Sequence, residues 1–233
     1  MNHIQRNVFL EREMGSMENS AVVNQASPIY PVDSIIIRVP PLGYRMAKRA
    51  FDLIAALVLS VLVAIPTIVL MLLIRLDSPG AAIFHQERLG KNGKPFMILK
   101  LRTMRLDAEK DGPQWAERND SRCTRLGSFL RKSRLDELPQ LWNILRGEMS
   151  FVGPRPERAY FYDQFEKNIP GFRNRLAVVP GLTGLAQVNG GYDLSPSQKI
   201  VFDMQYIQNC SIWLDLACML KTARLIFTHE GAR

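Results

Sequence analysis

Apolar side chains crowd into one block early in the chain and recur at helix or strand spacing after it. Residues 53–74 are 22 consecutive positions without a charge, where only Ser60, Pro66 and Thr67 break a run of Leu, Val, Ile, Ala and Met. As a helix rising ~1.5 Å per residue the block reaches ~33 Å, about one hydrocarbon core. Pro66 lacks a backbone donor and crowds the preceding turn, so a kink is expected near Ala64 and Ile65. Both flanks are basic: Arg45, Lys48 and Arg49 precede the block and Arg75 follows it. A spanning helix calls for one basic cytoplasmic flank and one less basic outer flank. The pattern predicts a re-entrant helix that dips into the bilayer, breaks at Pro66 and returns in arms of ~20 and ~12 Å. A tilted spanning helix and a buried core helix are the alternatives.

After the block, Asp77-Ser78-Pro79-Gly80 reads as a turn and residues 81–88 as a strand. Leu89-Gly90-Lys91-Asn92-Gly93 is a hairpin signal, and 96–101 is the returning strand. Residues 106–121 are polar and read as a partly helical surface loop. Leu126, Phe129 and Leu130 have helical spacing. Leu138, Leu141, Trp142 and Leu145 mark one face of a second helix that Gly147 stops. Pro139 is tolerable only in its first turn, which places the start close to Asp136. Residues 149–152 read as a short strand, 178–191 as a glycine-punctuated loop and strand, and 197–209 and 211–228 as helices. The last carries Trp213, Leu216, Leu220 and Phe227 with Asp215, Lys221 and Arg224, which suits a helix at a membrane interface or one packed in a core. Residues 1–44 show no sustained period and four prolines. They read as a mobile tail with a short extended piece at 34–39. The expected organisation is a tail at 1–44, a membrane helix at 45–75 and an α+β domain at 76–233, in which helices accompany a short β-hairpin or sheet.

Charge narrows the partners. The chain carries a formal net charge of +8, and from Arg75 onward Lys and Arg outnumber Asp and Glu by 24 to 17. Basic surface of this kind suits nucleic acid or an anionic membrane; beside a membrane-length block, lipid headgroups and phosphorylated substrates are expected and nucleic acid is not. Cys123, Cys210 and Cys218 are odd in number and lack a CxxC spacing, so neither a disulfide framework nor a zinc site is expected. The block begins too late and is too long for a secretory signal. No GxGxxG or GxxxxGK[ST] occurs, which argues against a dinucleotide fold and a P-loop. The sequence leaves a homo-oligomer open.

Three groups of residues carry candidate chemistry. Asp136 and Glu137 are adjacent acids at a helix start among Arg131, Lys132 and Arg134. Both are expected to stay ionised there, and the pattern suits Mg²⁺ bridged to phosphate, although a plain helix cap explains Asp136 equally simply. Lys100, Arg102 and Arg105 crowd a strand end, where a solvated basic edge explains most such clusters. Arg155 stands between Pro154 and Pro156, which hold the backbone so that a planar guanidinium is aimed at a phosphate; a rigid surface turn is the alternative.

In this order, Lys48-Arg49-Ala50-Phe51-Asp52, Gln86-Glu87-Arg88-Leu89-Gly90, Lys100-Leu101-Arg102-Thr103-Met104, Leu135-Asp136-Glu137-Leu138-Pro139-Gln140-Leu141, Gly153-Pro154-Arg155-Pro156 and Pro180-Gly181-Leu182-Thr183-Gly184 resemble the bacterial sugar transferase family. These are monotopic phosphoglycosyl transferases that move a sugar-1-phosphate from a nucleotide sugar to a polyprenyl phosphate. The chain looks like their small exopolysaccharide type, which acts with galactose or glucose. The resemblance implies a UDP-sugar donor, undecaprenyl phosphate as acceptor, Mg²⁺ and a place on the cytoplasmic face of the bacterial inner membrane. It further implies Asp136 as nucleophile, Glu137 as second member of an acidic dyad that also holds the metal, and Lys100, Arg131 and Arg155 around the phosphates. The family's Ser-Pro break is Ile65-Pro66 here. The basic residues it often places before Pro-Gly and after Asn-Gly are Val179 and Gly191. A membrane-attached, Mg²⁺-dependent phosphohydrolase and a non-enzymatic basic scaffold are the competing readings.

Overall fold

The computed structural model describes residues 40–110, 112 and 120–228. Residues 1–39 of the expected tail, with the extended piece at 34–39, and residues 111 and 113–119 of the polar loop lie outside the described residues. Helix α1 spans Leu42–Asp77, starting earlier than the expected 45, and continues through Pro66. Among the described residues it is the one helix long and apolar enough to cross a membrane. Its middle is bare: Val61, Leu62 and Ile65 are each about 70% exposed. That much contiguous apolar surface implies an apolar phase around it.

Both ends of α1 are docked onto the remainder of the chain. At the first end Arg49 donates to the carbonyls of Ile144 (2.6 Å) and Leu145 (2.8 Å), Lys48 pairs with Asp215 (2.8 Å), and Asp52 accepts from the Phe151 amide (3.1 Å). At the second end Ile74 is buried with Ala82, Leu101 and Leu130. There Arg102 donates to the carbonyls of Pro79 (2.5 Å), Ser78 (2.7 Å) and Ile74 (3.4 Å). The reading of the 100–105 cluster as a solvated basic edge therefore fails at Arg102, which is buried against the turn that follows α1 and serves the carbonyls of Ser78 and Pro79 there.

Strands β1 (Ile83–Leu89) and β2 (Pro95–Leu101) pair antiparallel, Ile83 opposite Leu101 and Leu89 opposite Pro95. The expected hairpin turn joins them, with Asn92 in the left-handed region at φ 58°. Helix α2 (Arg125–Lys132) is capped by the Thr124 hydroxyl, which accepts from the Gly127 amide at 2.9 Å. Helix α3 (Gln140–Arg146) ends at Gly147, φ 80°. Strand β3 (Ser150–Val152) lies parallel to β4 (Gly181–Thr183), with α4 (Ala159–Asn168) and a 3₁₀ segment (Phe172–Ala177) between them in sequence. Helices α5 (Leu185–Val188), α6 (Pro196–Asn209) and α7 (Ile212–Thr228) follow, α6 opening on a capping box between Ser195 and Gln198.

The class is thus α+β: among the described residues, helices surround two small two-stranded sheets. One core joins Ile98 of β2, Ile144 of α3, Phe151 and Val152 of β3, Tyr162 of α4, Phe172, and Ile200, Met204 and Ile207 of α6. Asn143 ties α3 to the hairpin by accepting from the Leu99 amide (3.0 Å) and donating to the Met97 carbonyl (2.8 Å). On α7, Trp213, Leu216 and Leu220 face outward, whereas Asp215 and Cys218 are buried. The Phe227 side chain lies outside the described residues.

Replacing Arg102 by Ala leaves the carbonyls of Ser78 and Pro79 without their donor. We expect a loss of about 2–4 kcal/mol, read as a lowered unfolding midpoint in detergent; an unchanged midpoint would mean that water serves those carbonyls as well.

Candidate functional site

The turn that carries the acid pair is shaped by Pro139. With no amide hydrogen, Pro139 cannot donate to the Leu135 carbonyl, and the Leu138 amide takes that carbonyl instead at 3.3 Å. Leu135–Glu137 consequently close as a 3₁₀ turn, and the α-helix begins at Gln140 rather than close to Asp136. Asp136 caps no helix. Arg134, at φ 57°, makes the corner between α2 and this turn in a conformation uncommon for a residue with a Cβ.

The corner delivers Glu137 to two cations. Lys100 Nζ, from β2, lies 3.4 Å from Glu137 Oε1. The guanidinium of Arg155 forks onto the same carboxylate, Nη2 to Oε1 and Nη1 to Oε2. Asp136 is 6% exposed, and among the described residues no side chain hydrogen-bonds its carboxylate. Arg131 is held from the far side by the Thr103 hydroxyl, which accepts from its Nε at 3.1 Å, and its charge reaches Asp136. The fold thus gathers Lys100, Arg155, Asp136 and Glu137, with Arg131 acting through its field.

Proximity to opposite charge and burial pull the two acids apart. Desolvation pushes Asp136 up to about 6, reinforced by the charge of Glu137 and opposed by Lys100, Arg155 and Arg131. Glu137 is also desolvated, but Arg155 and Lys100 more than offset that and hold it below the usual carboxylate range. Of the two causes expected to keep both acids ionised, the basic neighbourhood acts on Glu137, through Arg155 and Lys100, and the helix start is absent; at Asp136 burial opposes the charge. The dyad consists of one carboxylate saturated by cations and one left open to a ligand.

Arg155 sits where two glycine motifs interlock. Gly153 N donates to Thr183 O and Gly181 N to Pro154 O, both at 2.9 Å. A Cβ on Gly153 would stand 2.5 Å from the Val179 carbonyl, one on Gly181 2.1 Å from the Gly153 amide, and one on Gly184 2.2 Å from the Gly153 carbonyl. Only glycine admits so close a crossing of backbones, so the two motifs form a single structure around Arg155.

A match to the family model described as bacterial sugar transferase covers residues 43–229. The chain belongs to the bacterial sugar transferase family. Similar proteins include the UDP-N-acetylgalactosamine-undecaprenyl-phosphate N-acetylgalactosaminephosphotransferase of Aeromonas hydrophila, 44% identical over 193 residues that cover 82% of this chain and 46% of that protein. A putative undecaprenyl-phosphate N-acetylgalactosaminyl 1-phosphate transferase of Bacillus subtilis is 46% identical over 162 residues, 69% of this chain and 90% of that one. The UDP-glucose:undecaprenyl-phosphate glucose-1-phosphate transferase of Caulobacter vibrioides is 44% identical over 200 residues, 83% and 74% respectively. The chain therefore spans under half of the Aeromonas protein and most of the other two.

Sequence reasoning passed over several groups that this sugar transferase places behind Arg155. Arg175 and Asp203 form a buried pair at 2.7 Å, and Arg88 pairs with Glu157 at 2.8 Å. A signal for Asp203 was present: it falls on the apolar face of α6 among Ile200, Met204 and Ile207, where a charge implies a buried partner.

Asp136 has a raised value in the folded state, so its charged form is disfavoured by folding above about pH 6, and that penalty fades as pH falls towards its ordinary value near 4. Asp136→Asn should accordingly stabilise the transferase at pH 8 by up to about 3 kcal/mol, with the gain gone near pH 4. Unfolding midpoints measured across that range check this, and a variant less stable than the parent at pH 8 would contradict it.

Proposed function

We propose that this chain transfers a sugar-1-phosphate from a UDP-sugar to polyprenyl phosphate, giving polyprenyl diphosphate-sugar and UMP, as a membrane step of exopolysaccharide or other glycan assembly. The observation that carries the proposal is the buried Asp136 carboxylate, free of side-chain hydrogen bonds among the described residues and set beside a cation-saturated Glu137. A desolvated, unbonded carboxylate is a competent nucleophile towards phosphorus once the surrounding cations draw a phosphate in. The printed names of the relatives, which specify transfer of a sugar phosphate to undecaprenyl phosphate by those proteins, support the reading.

In the first step an Asp136 oxygen attacks the sugar-bearing phosphorus, the bond from that phosphorus to the bridging oxygen breaks, and UMP departs with the electron pair. A sugar-phosphoryl aspartate remains. A phosphate oxygen of the lipid acceptor then attacks the same phosphorus and Asp136 leaves with its electrons. Lys100, Arg131 and Arg155 neutralise charge accumulating on the phosphates, and Glu137 keeps Lys100 and Arg155 pointed at that position. The residues fit Mg²⁺, which commonly takes one or two carboxylates and completes its shell with phosphate oxygens and water: Asp136 is open, and Glu137 adjoins it. Asp136 would hold it directly, with Glu137 joining only where Lys100 or Arg155 gives up one of its oxygens, and it would supply charge neutralisation at the leaving UMP. Among the described residues no cluster of three His, Cys, Asp or Glu offers an all-protein cage.

The same reading places α1 as a re-entrant helix bent at Pro66, in the cytoplasmic leaflet of the inner membrane. Both ends of α1 dock onto a single domain while the middle stays bare, which is what a segment that leaves and returns on one side requires. The outward Trp213, Leu216 and Leu220 of α7 suit an interfacial position beside it.

Incubated with UDP-sugar and labelled UMP but no lipid acceptor, the enzyme should exchange label into UDP-sugar, and Asp136→Asn should abolish both exchange and product. Product formation without exchange would overturn the aspartyl intermediate. For topology, Leu42→Cys and Leu76→Cys, each in a background without the three native cysteines, should react with an impermeant maleimide from the same side of sealed vesicles; labelling from opposite sides would establish a spanning helix.

A further inference from the structure

Arg175 is an expensive residue to keep inside a protein. It is 3% exposed, its partner Asp203 is 1% exposed, and neither touches the acid pair. Taking two charges out of water costs several kcal/mol per ion, and an apolar pair of similar volume is often equally stable or more so. Stability alone does not account for the arrangement, so its contacts have to.

The guanidinium of Arg175 is clamped from three directions. Nε donates to Asp203 Oδ2 at 2.7 Å, and the plane lies over the rings of Phe172 (4.8 Å) and Tyr162 (5.9 Å). Nη2 then donates to the backbone carbonyl of Arg155 at 3.0 Å. The Arg155 loop is already tied on one flank to β4 through Gly153 and Pro154. On the other flank Arg88 Nη1 donates to the Pro156 carbonyl at 3.2 Å and the Leu89 amide to the Glu157 carbonyl at 3.0 Å, and Arg175 holds the residue between the flanks, whose side chain forks onto Glu137. Two prolines stiffen the loop, and the hydrogen bond from Arg175 is made at the Arg155 backbone itself.

We infer that Arg175, oriented by Asp203, is a positioning residue for phosphate transfer: it fixes the backbone of Arg155 so that the Arg155 fork meets Glu137 and the reacting phosphate. The inference rests on the transfer reaction proposed above. Arg175 touches neither acid, so its effect runs entirely through Arg155. A lysine would retain the charge but lacks the fork needed to reach Asp203 and the Arg155 carbonyl at once.

The test is a double-mutant cycle. Arg175→Met combined with Asp203→Leu removes the buried pair as a unit, and Arg175→Lys is the second variant should that pair fail to fold. Each is measured for UMP release with undecaprenyl phosphate, alone and with Arg155→Ala. We expect the folded pair variant to lose about 10–100-fold in kcat/KM, the scale associated with a misplacement near 1 Å. Arg155→Ala should then cost far less in that background than in the parent, because the function it removes is already gone. Full activity, or losses that multiply independently, would overturn the inference. Hydrogen exchange in the segment 153–158 separates this from failure of the transfer reading, since it needs no turnover. Faster exchange there in the pair variant is expected whatever the parent enzyme's activity, and unchanged exchange would overturn the positioning role.

Discussion

Keeping a carboxylate out of water beside a second one costs several kcal/mol unless cations meet it, and the cations around Asp136 and Glu137 come from three separate stretches of chain. Lys100 arrives on a hairpin strand, Arg131 on a short helix, and Arg155 on a loop between two prolines. Removing any of these elements from its place would weaken the counter-charge around a buried acid. The acid pair therefore constrains the hairpin, α2 and the β3–β4 junction to one mutual arrangement, which Asn143 secures by bonding α3 to the hairpin backbone.

Asymmetry between the acids follows from the same constraint. Both Glu137 oxygens are occupied by Lys100 and Arg155, so its charge is stabilised and its position held. Among the described residues no side chain hydrogen-bonds Asp136, which feels the field of those cations, and burial raises its proton affinity. One turn of chain thereby produces a fixed carboxylate and an open one, the division on which the proposed transfer relies. The local cause is modest: Pro139 denies the turn an α-helical hydrogen bond, and Arg134 adopts a left-handed conformation to reach it.

Backbone proximity is the second organising feature. Gly153, Gly181 and Gly184 bring two loop motifs closer than any Cβ permits, and the crossing leaves Arg155 at its edge. Buried charge then takes over where glycine stops. Arg175 reaches the Arg155 carbonyl, Asp203 holds Arg175, and α1 is fastened by Arg49 at one end and Arg102 at the other. Arginine recurs because one planar fork serves several carbonyls or a carboxylate and a carbonyl together.

Sequence alone determined what depends on neighbours along the chain. The apolar block at 53–74 required a long helix, Asn92-Gly93 between alternating stretches required the hairpin, and Gly147 ended α3, since each follows from local backbone preference and periodicity. The family's motifs also singled out Asp136, Glu137, Lys100 and Arg155 before any of them could be seen to meet. What sequence misjudged were quantities set by burial: Arg102 read as surface charge and serves a helix end, and Asp136 read as a stabilised anion and is a desolvated one. Arg175 and Asp203, 28 residues apart, gave almost no joint signal. Desolvation and long-range pairing depend on which atoms exclude water from a group, and only the tertiary structure decides that.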